Sequence, residues 1–381
     1  MARAMTQKQR VLACVRWEDY DRVPIYPPIP FDPIAWERGE LQSWQDSDNY
    51  RAVAELAAEH CVTPGHYRSQ GGRFSRVYHM IPDRYVEAVS TETAGDRTSR
   101  TTIVHAPAGD LRTVVAHHRG VATAWVTEPL VKDLRDVDRL LSVPFELDLP
   151  DPAPFALERE RWGERGPIEL SVSTPMVCTS HLMAFDTFLE WCASERASIV
   201  RLIEAAFERI YVRLEHLLKA GVIEAIWLGG SEQATPPMMG RRFYEELVVP
   251  YDGRIIELVK SHGGLVHIHC HGRVNDVLEL MMAMGADMTD PVEPPPDGDV
   301  DFADAKRRCR GRMVLMGNIE FRALEFATRS EIDAMVRRAI CEGGKQGMML
   351  YPSATPITWM TDRCRDNCIQ YIKSGVKYGE M

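Results

Sequence analysis

No Gly-x-Gly-x-x-Gly motif follows a candidate strand in this chain, and no Walker-type phosphate loop is present. Both absences argue against a nucleotide-binding fold. No apolar run approaches the length needed to span a bilayer. The N-terminus, Met1-Ala2-Arg3-Ala4-Met5-Thr6-Gln7-Lys8-Gln9-Arg10, has no hydrophobic signal core. Positive charge is in short supply, with 45 Lys and Arg against 55 Asp and Glu for a net charge of −10. That balance argues against nucleic acid or an anionic membrane as a partner. The nine cysteines are odd in number and include no Cys-x-x-Cys, so no secreted disulfide framework is read from them. Reduced thiols and a cytoplasmic location are the expectation. Cys364 and Cys368, four apart on the last predicted helix, read as packing residues.

What remains is ordinary globular material, 45% hydrophobic and 26% charged over 381 residues. One α/β domain spanning residues 1–381 accommodates that length. Residues Thr6 to Trp17 are amphipathic, with Thr6 as N-cap and Val11, Leu12 and Val15 on one face. Asp21 to Tyr26 reads as a turn entering a buried strand. The Pro27-Pro28-Ile29-Pro30-Phe31-Asp32-Pro33 segment after it must be an extended loop, which makes Asp32 a candidate pocket residue. Residues 73–126 break into short β-like runs (Arg73–His79, Arg84–Ser90, Thr101–His105, Arg112–Ala116 and Ala122–Val126) separated by turn residues. They predict an antiparallel insertion forming a lid or side wall. From Ile168 onward strands alternate with helices over more than 200 residues, which implies a parallel sheet with helical crossovers. A closed eight-stranded (β/α)8 barrel, the TIM barrel, is the favoured architecture, with an open doubly wound sheet as its alternative.

The most informative stretch is Gly264-Leu265-Val266-His267-Ile268-His269-Cys270-His271-Gly272. As a strand it puts His267, His269 and His271 on one face, with Ile268 and Cys270 on the other. Isolated histidines are usually buried and hydrogen-bonded, but three in five residues at a strand end suit a metal or catalytic site. Active sites of such barrels lie at the C-terminal strand ends, where this chain places Ser231 and Glu232, His269 and His271, Asp290 and Glu293, Asn318 and Glu320, and Ser353 and Thr355. His269, His271 and Glu232 form the most economical ligand set, of the open His2Glu zinc type. Asp290, Glu293 or Glu320 would receive the second ring N–H of a ligating histidine.

In order along the chain, several segments resemble the uroporphyrinogen decarboxylase superfamily, which includes cobalamin-linked methyltransferases. They are Thr6 to Leu12 with Asp21-Arg22-Val23-Pro24, Phe243 to Ile256 with Val249-Pro250-Tyr251, the histidine strand ending at Gly272, Gly285-Ala286-Asp287, Gly317-Asn318-Ile319 and Ser330-Glu331-Ile332. The resemblance implies a (β/α)8 barrel with a deep cleft at its C-terminal face, and a homodimer. Porphyrinogen decarboxylases of the family carry an arginine-rich segment after the first strand, whereas Tyr26 to Asp32 here contains no arginine. Zinc methyltransferases of the family use a His-x-Cys-Gly strand end and a later Cys. Here the sequence is His269-Cys270-His271-Gly272, with no Cys in Pro352-Ser353-Ala354-Thr355. Iron, manganese or copper would tolerate such His and carboxylate ligands as well as zinc.

Three functions follow as expectations. The first is a metal-dependent methyltransferase or demethylase with a divalent ion, zinc before others. It would use a corrinoid carried by a separate protein, because no Asp-x-His-x-x-Gly loop occurs here. The second is a metal-dependent lyase, decarboxylase or hydrolase acting on a small carboxylate-bearing substrate. The third is a non-catalytic binding barrel. For the enzymes, Glu293 and Tyr26 are the candidate catalytic residues. Asp32, Asn318, Glu320 and Ser353 are the candidates for binding a small-molecule substrate.

Overall fold

The computed structural model describes residues 5–41, 45–67, 81–121, 123–147 and 149–381. Seven parallel strands form one curled sheet in the order β1 (Gly65–Tyr67), β6 (Ile168–Ser173), β7 (Ala225–Gly229), β8 (Leu265–His269), β9 (Met288–Val292), β10 (Val314–Ile319) and β11 (Met348–Pro352). The second sheet is antiparallel and joins β2 (Val86–Ala94), β3 (Arg97–Ala106), β4 (Gly109–His118) and β5 (Ala124–Glu128). The segment Pro24–Tyr26 adds hydrogen bonds beside the parallel sheet. Tyr26 N donates to Leu350 O, Leu350 N to Pro24 O, and Val62 N to Ile25 O.

Side-chain alternation along the parallel strands divides the interior into two cores. Val266, Ile268, Leu315, Met348 and Leu350 face the surrounding helices and join the larger core. Met288, Val314, Met316 and Met349 face the concave side, where they pack against Val11, Cys14 and Tyr20. The helix Gln7–Val15 thus fills one end of the curl. Its start is fixed by a capping box in which Thr6 Oγ1 accepts from Gln9 N and the Gln9 side chain accepts from Thr6 N. The concave side at the opposite, C-terminal ends of the strands is left for polar residues.

The expected antiparallel insertion is present as β2–β5, and the run expected at Arg73–His79 lies outside the described residues. Among the described residues, the sheet is tied to the main body through Lys132 Nζ donating to Arg112 O and Ala108 N donating to Ser142 Oγ. Two helices, Arg241–Leu247 and Val249–Ser261, meet at Val248, because Pro250 lacks an N–H and suits a first turn. Cys364 and Cys368 are buried on the helix Asp362–Gly379, as packing residues. No described helix is long and apolar enough to cross a membrane.

Two substitutions separate the forces at work. Phe188 is fully buried in the larger core, so Phe188→Ala should cost about 3–5 kcal/mol of unfolding free energy. Thr328 caps the helix Arg329–Gly343 through a box with Glu331, and Thr328→Ala should cost about 1 kcal/mol. Urea unfolding of the two variants checks the ratio; equal losses would contradict this division.

Candidate functional site

Parallel register builds the site. Pairing of Glu169 with Ala225, of Trp227 with His267, and of His269 with Asp290 brings Glu169, Trp227, His267, His269 and Asp290 to the concave side of four adjacent strands. Strand β8 ends at His269, so His271 lies just beyond it. The rings of His269 and His271 still meet edge-to-face, with centroids 4.7 Å apart. Cys270 turns the other way and is buried in the helix-facing core.

At the floor sits a buried ionic array. His267 Nδ1 is 3.0 Å from Glu169 Oε1. Its Nε2 lies 2.6 Å from Asp290 Oδ1, in ion-pair contact but off the line of a hydrogen bond. Burial opposes charge on His267, but Asp290 and Glu169 outweigh it and raise the imidazolium to about 10. Burial likewise pushes the Asp290 carboxyl up, yet His269 and His267 hold it well below the usual carboxylate range. Asp290 is therefore an acceptor, and the His269 Nδ1 that stands 3.1 and 3.0 Å from its two oxygens carries the shared proton. The second histidine repeats the pattern. His271 Nδ1 lies 3.2 Å from Glu293 Oε1, and Gly272 N donates to Glu293 Oε2 at 2.5 Å. Burial lowers His271, but the bond to Glu293 wins and its pKa is raised.

These groups border a cavity of about 380 Å³ lined by Tyr26, Phe31, His66, Glu169, Trp227, His267, His269, His271, Tyr351, Ser353, Thr355 and Ile357, among others. Trp227 stacks on His269 at 4.8 Å and 32°. Gly229 permits this, because a Cβ there would stand 2.1 Å from the Trp227 ring. Tyr26 and Tyr351 pack with ring centroids 5.0 Å apart. The Tyr26 hydroxyl and Glu169 Oε2 are buried without a hydrogen-bond partner. Burial, then Glu169 and Asp290, push the Tyr26 phenol up.

The other sequence candidates distribute unevenly. Ser353 lines the cavity and donates to Glu320 Oε2 at 3.1 Å. Burial, reinforced by Glu293, pushes the Glu320 carboxyl up to about 7. Asn318 and Glu320 border a second cavity of about 460 Å³ beside Pro294–Pro296, not the histidine cavity. Asp32 is a helix cap: its Oδ1 accepts from Ile34 N and Ala35 N. Glu232 is not among the lining residues, and its Oε2 is buried without a partner. Among the described residues, no group of three or more His, Cys, Asp or Glu side chains is arranged to hold a metal ion. No described residue of β2–β5 lines the cavity. Glu169, Trp227, His66 and Tyr351 line the cavity but were not picked out from the sequence. Glu169 left a signal, as a charge inside the apolar run Ile168 to Val172.

The array makes stability pH-dependent with a defined sign. His267 gains charge-favouring partners on folding, so its contribution is complete below the unfolded value near 6.5 and is lost as pH rises through about 10. Asp290 acts oppositely, contributing above the usual carboxylate range and losing its effect as pH falls below it. Unfolding midpoints should decline between pH 7 and 10. His267→Gln should flatten that decline while lowering stability at pH 7 by about 3–5 kcal/mol. A decline unchanged in the variant would assign it to other groups.

A comparison with curated proteins returns no match. Among solved structures, the fold is similar to that of a methyltransferase from Methanosarcina mazei at a TM-score of 0.60 and 16% identity, covering 98% of this chain and 99% of that one. A B12-independent methionine synthase from Shewanella sp. W3-18-1 in complex with selenomethionine is more distant, at a TM-score of 0.42 and 13% identity over 77% of this chain and 75% of that one. The uroporphyrinogen decarboxylase (URO-D) family model matches residues 114–355, a span that holds both histidines and their carboxylates. The chain belongs to the uroporphyrinogen decarboxylase family.

Proposed function

We propose that this chain is a methyltransferase-type enzyme of its family, acting in the histidine cavity on a small methylated substrate. The observation that carries the reading is the pair His269 and His271. Each is fixed through Nδ1 to its own carboxylate, which leaves Nε2 as the ring nitrogen for chemistry at the cavity. In such a transfer the bond between the methyl carbon and its heteroatom breaks, the electron pair stays on the heteroatom, and the methyl group passes to an acceptor nucleophile. The residues of this chain orient the substrate against Trp227 and move a proton at the departing heteroatom. His269 and Tyr26, which line the cavity, are the candidate proton carriers, with Glu293 reaching it only through His271.

The same two imidazoles are the residues that would hold a divalent ion, zinc first, which would polarise the methyl-bearing atom. They fit such an ion only in part. The carboxylate-anchored rings match the usual outer support of ligating histidines, but among the described residues no third donor joins them. Glu232 would have to turn to complete the set. A corrinoid acceptor would come on a separate protein. We also take Pro24–Tyr26 as the strand that closes an eight-stranded barrel, on the strength of its hydrogen bonds to Leu350 and Val62. The lyase reading on a carboxylate-bearing substrate is less favoured, since the described lining contains neither Arg nor Lys.

Purified enzyme offered methylated amines and aryl methyl ethers, with thiols or a reduced corrinoid protein as acceptor, should transfer the methyl group. His269→Ala should slow that transfer by about 10²–10⁴-fold. Turnover that proceeds without any acceptor would instead support the lyase reading. Elemental analysis tests the ion separately: metal present in the wild type should be lost in the His269→Ala/His271→Ala pair, and equal content in both would place it elsewhere.

A further inference from the structure

The cavity has aromatic walls and an acidic floor. Aromatic side chains of Tyr26, Phe31, Trp227 and Tyr351 line it. The Trp227 ring lies where the missing Cβ of Gly229 leaves room for it, so this wall is built into the backbone. Glu169 lines the floor, and Asp290 and Glu293 stand directly behind the histidines. Against these three carboxylates the buried counter-charge is His267, joined at the mouth by His271 as it protonates; His66 and His269 are the other titratable lining groups besides the two tyrosines. The described lining includes no Arg or Lys. Glu169 Oε2 is buried without a partner, and so is the Tyr26 hydroxyl. An unpartnered carboxylate oxygen in a buried setting is costly, and a nearby positive charge relieves it. Ring faces attract cations through their quadrupoles, Trp most strongly.

Resting on the methyl-transfer reading, we propose that the substrate is a cationic methylated nitrogen compound, held by the ring faces of Trp227, Tyr26 and Tyr351 over the Glu169 carboxylate. In the metal-free chain an anionic ligand of the same shape meets surplus negative charge there. A neutral one loses the attraction to both the rings and the carboxylate.

Three probes of nearly one shape test this: choline, 3,3-dimethylbutan-1-ol and 3,3-dimethylbutanoate, which differ in charge. Calorimetric titration should find choline bound at least tenfold more tightly than the alcohol, with the anion weakest. Trp227→Leu should weaken choline at least tenfold and leave the alcohol nearly unchanged. Glu169→Gln should weaken choline in the same sense. Because Glu169 also holds His267, the Trp227 variant and a circular-dichroism check keep the result readable if the Glu169 variant does not fold. Binding of the alcohol or the anion as tightly as choline, or no choline binding at millimolar concentration, would overturn the proposal. Methyl transfer from a neutral ether without choline binding would sink this inference alone. Choline binding without any methyl transfer would sink the reaction and keep the recognition.

Discussion

Asp290 is shared between two imidazoles, and the site depends on that sharing. It is fully buried, and an isolated carboxylate there would sooner take a proton than remain charged. His267 on one side and His269 on the other reverse that preference. His267 in turn is held as a cation by Asp290 and by Glu169, which faces its other nitrogen. An array of this kind adds little net stability, since desolvating each ion offsets most of the Coulombic gain. Its effect is geometric: an anionic Asp290 fixes which nitrogen of His269 carries the proton and which way the ring faces.

Backbone pairing supplies the precision that side chains alone would lack. His269 and Asp290 are register partners on adjacent parallel strands, so their separation is set by the hydrogen-bond ladder. Strand residues two apart share a face, and the alternation that sends Val266 and Ile268 to the helices sends His267 and His269 to the concave side. The capped helix Gln7–Val15 fills the opposite end of the curl. The polar cavity at the C-terminal strand ends and the apolar packing below it are thus two consequences of one pleat.

Much of this was legible in the sequence because it rests on periodicity. The strand at Ile168–Ser173 falls where the pattern places it, and the antiparallel insertion was visible from its turn residues. The carboxylates expected behind the histidines are there, Asp290 for His269 and Glu293 for His271. Pairing across a sheet is not a local property, which is why Trp227 and Glu169 went unassigned and why Glu232, near in the list of strand ends, is absent from the cavity wall. Asp32 misled for a different reason. A carboxylate just before Pro33 suits a loop pocket and a helix N-cap equally well, and the cap is what forms.

The same pleat bears on the chemistry open to the cavity. The His269-Cys270-His271 triplet contains a thiol, yet Cys270 faces the helices. Burial, then Glu232, pushes that thiol well above its ordinary value, so it stays protonated and does not serve the cavity as a thiolate. Imidazole and carboxylate are what this strand end presents. Two residues after His269 on the same side this chain carries His271, not a thiol. An imidazole rather than a thiol at that position gives the polar face of the cavity nitrogen and oxygen groups instead of sulfur. With acidic residues behind the rings and aromatic side chains beside them, that face fits the positively charged substrate proposed for it.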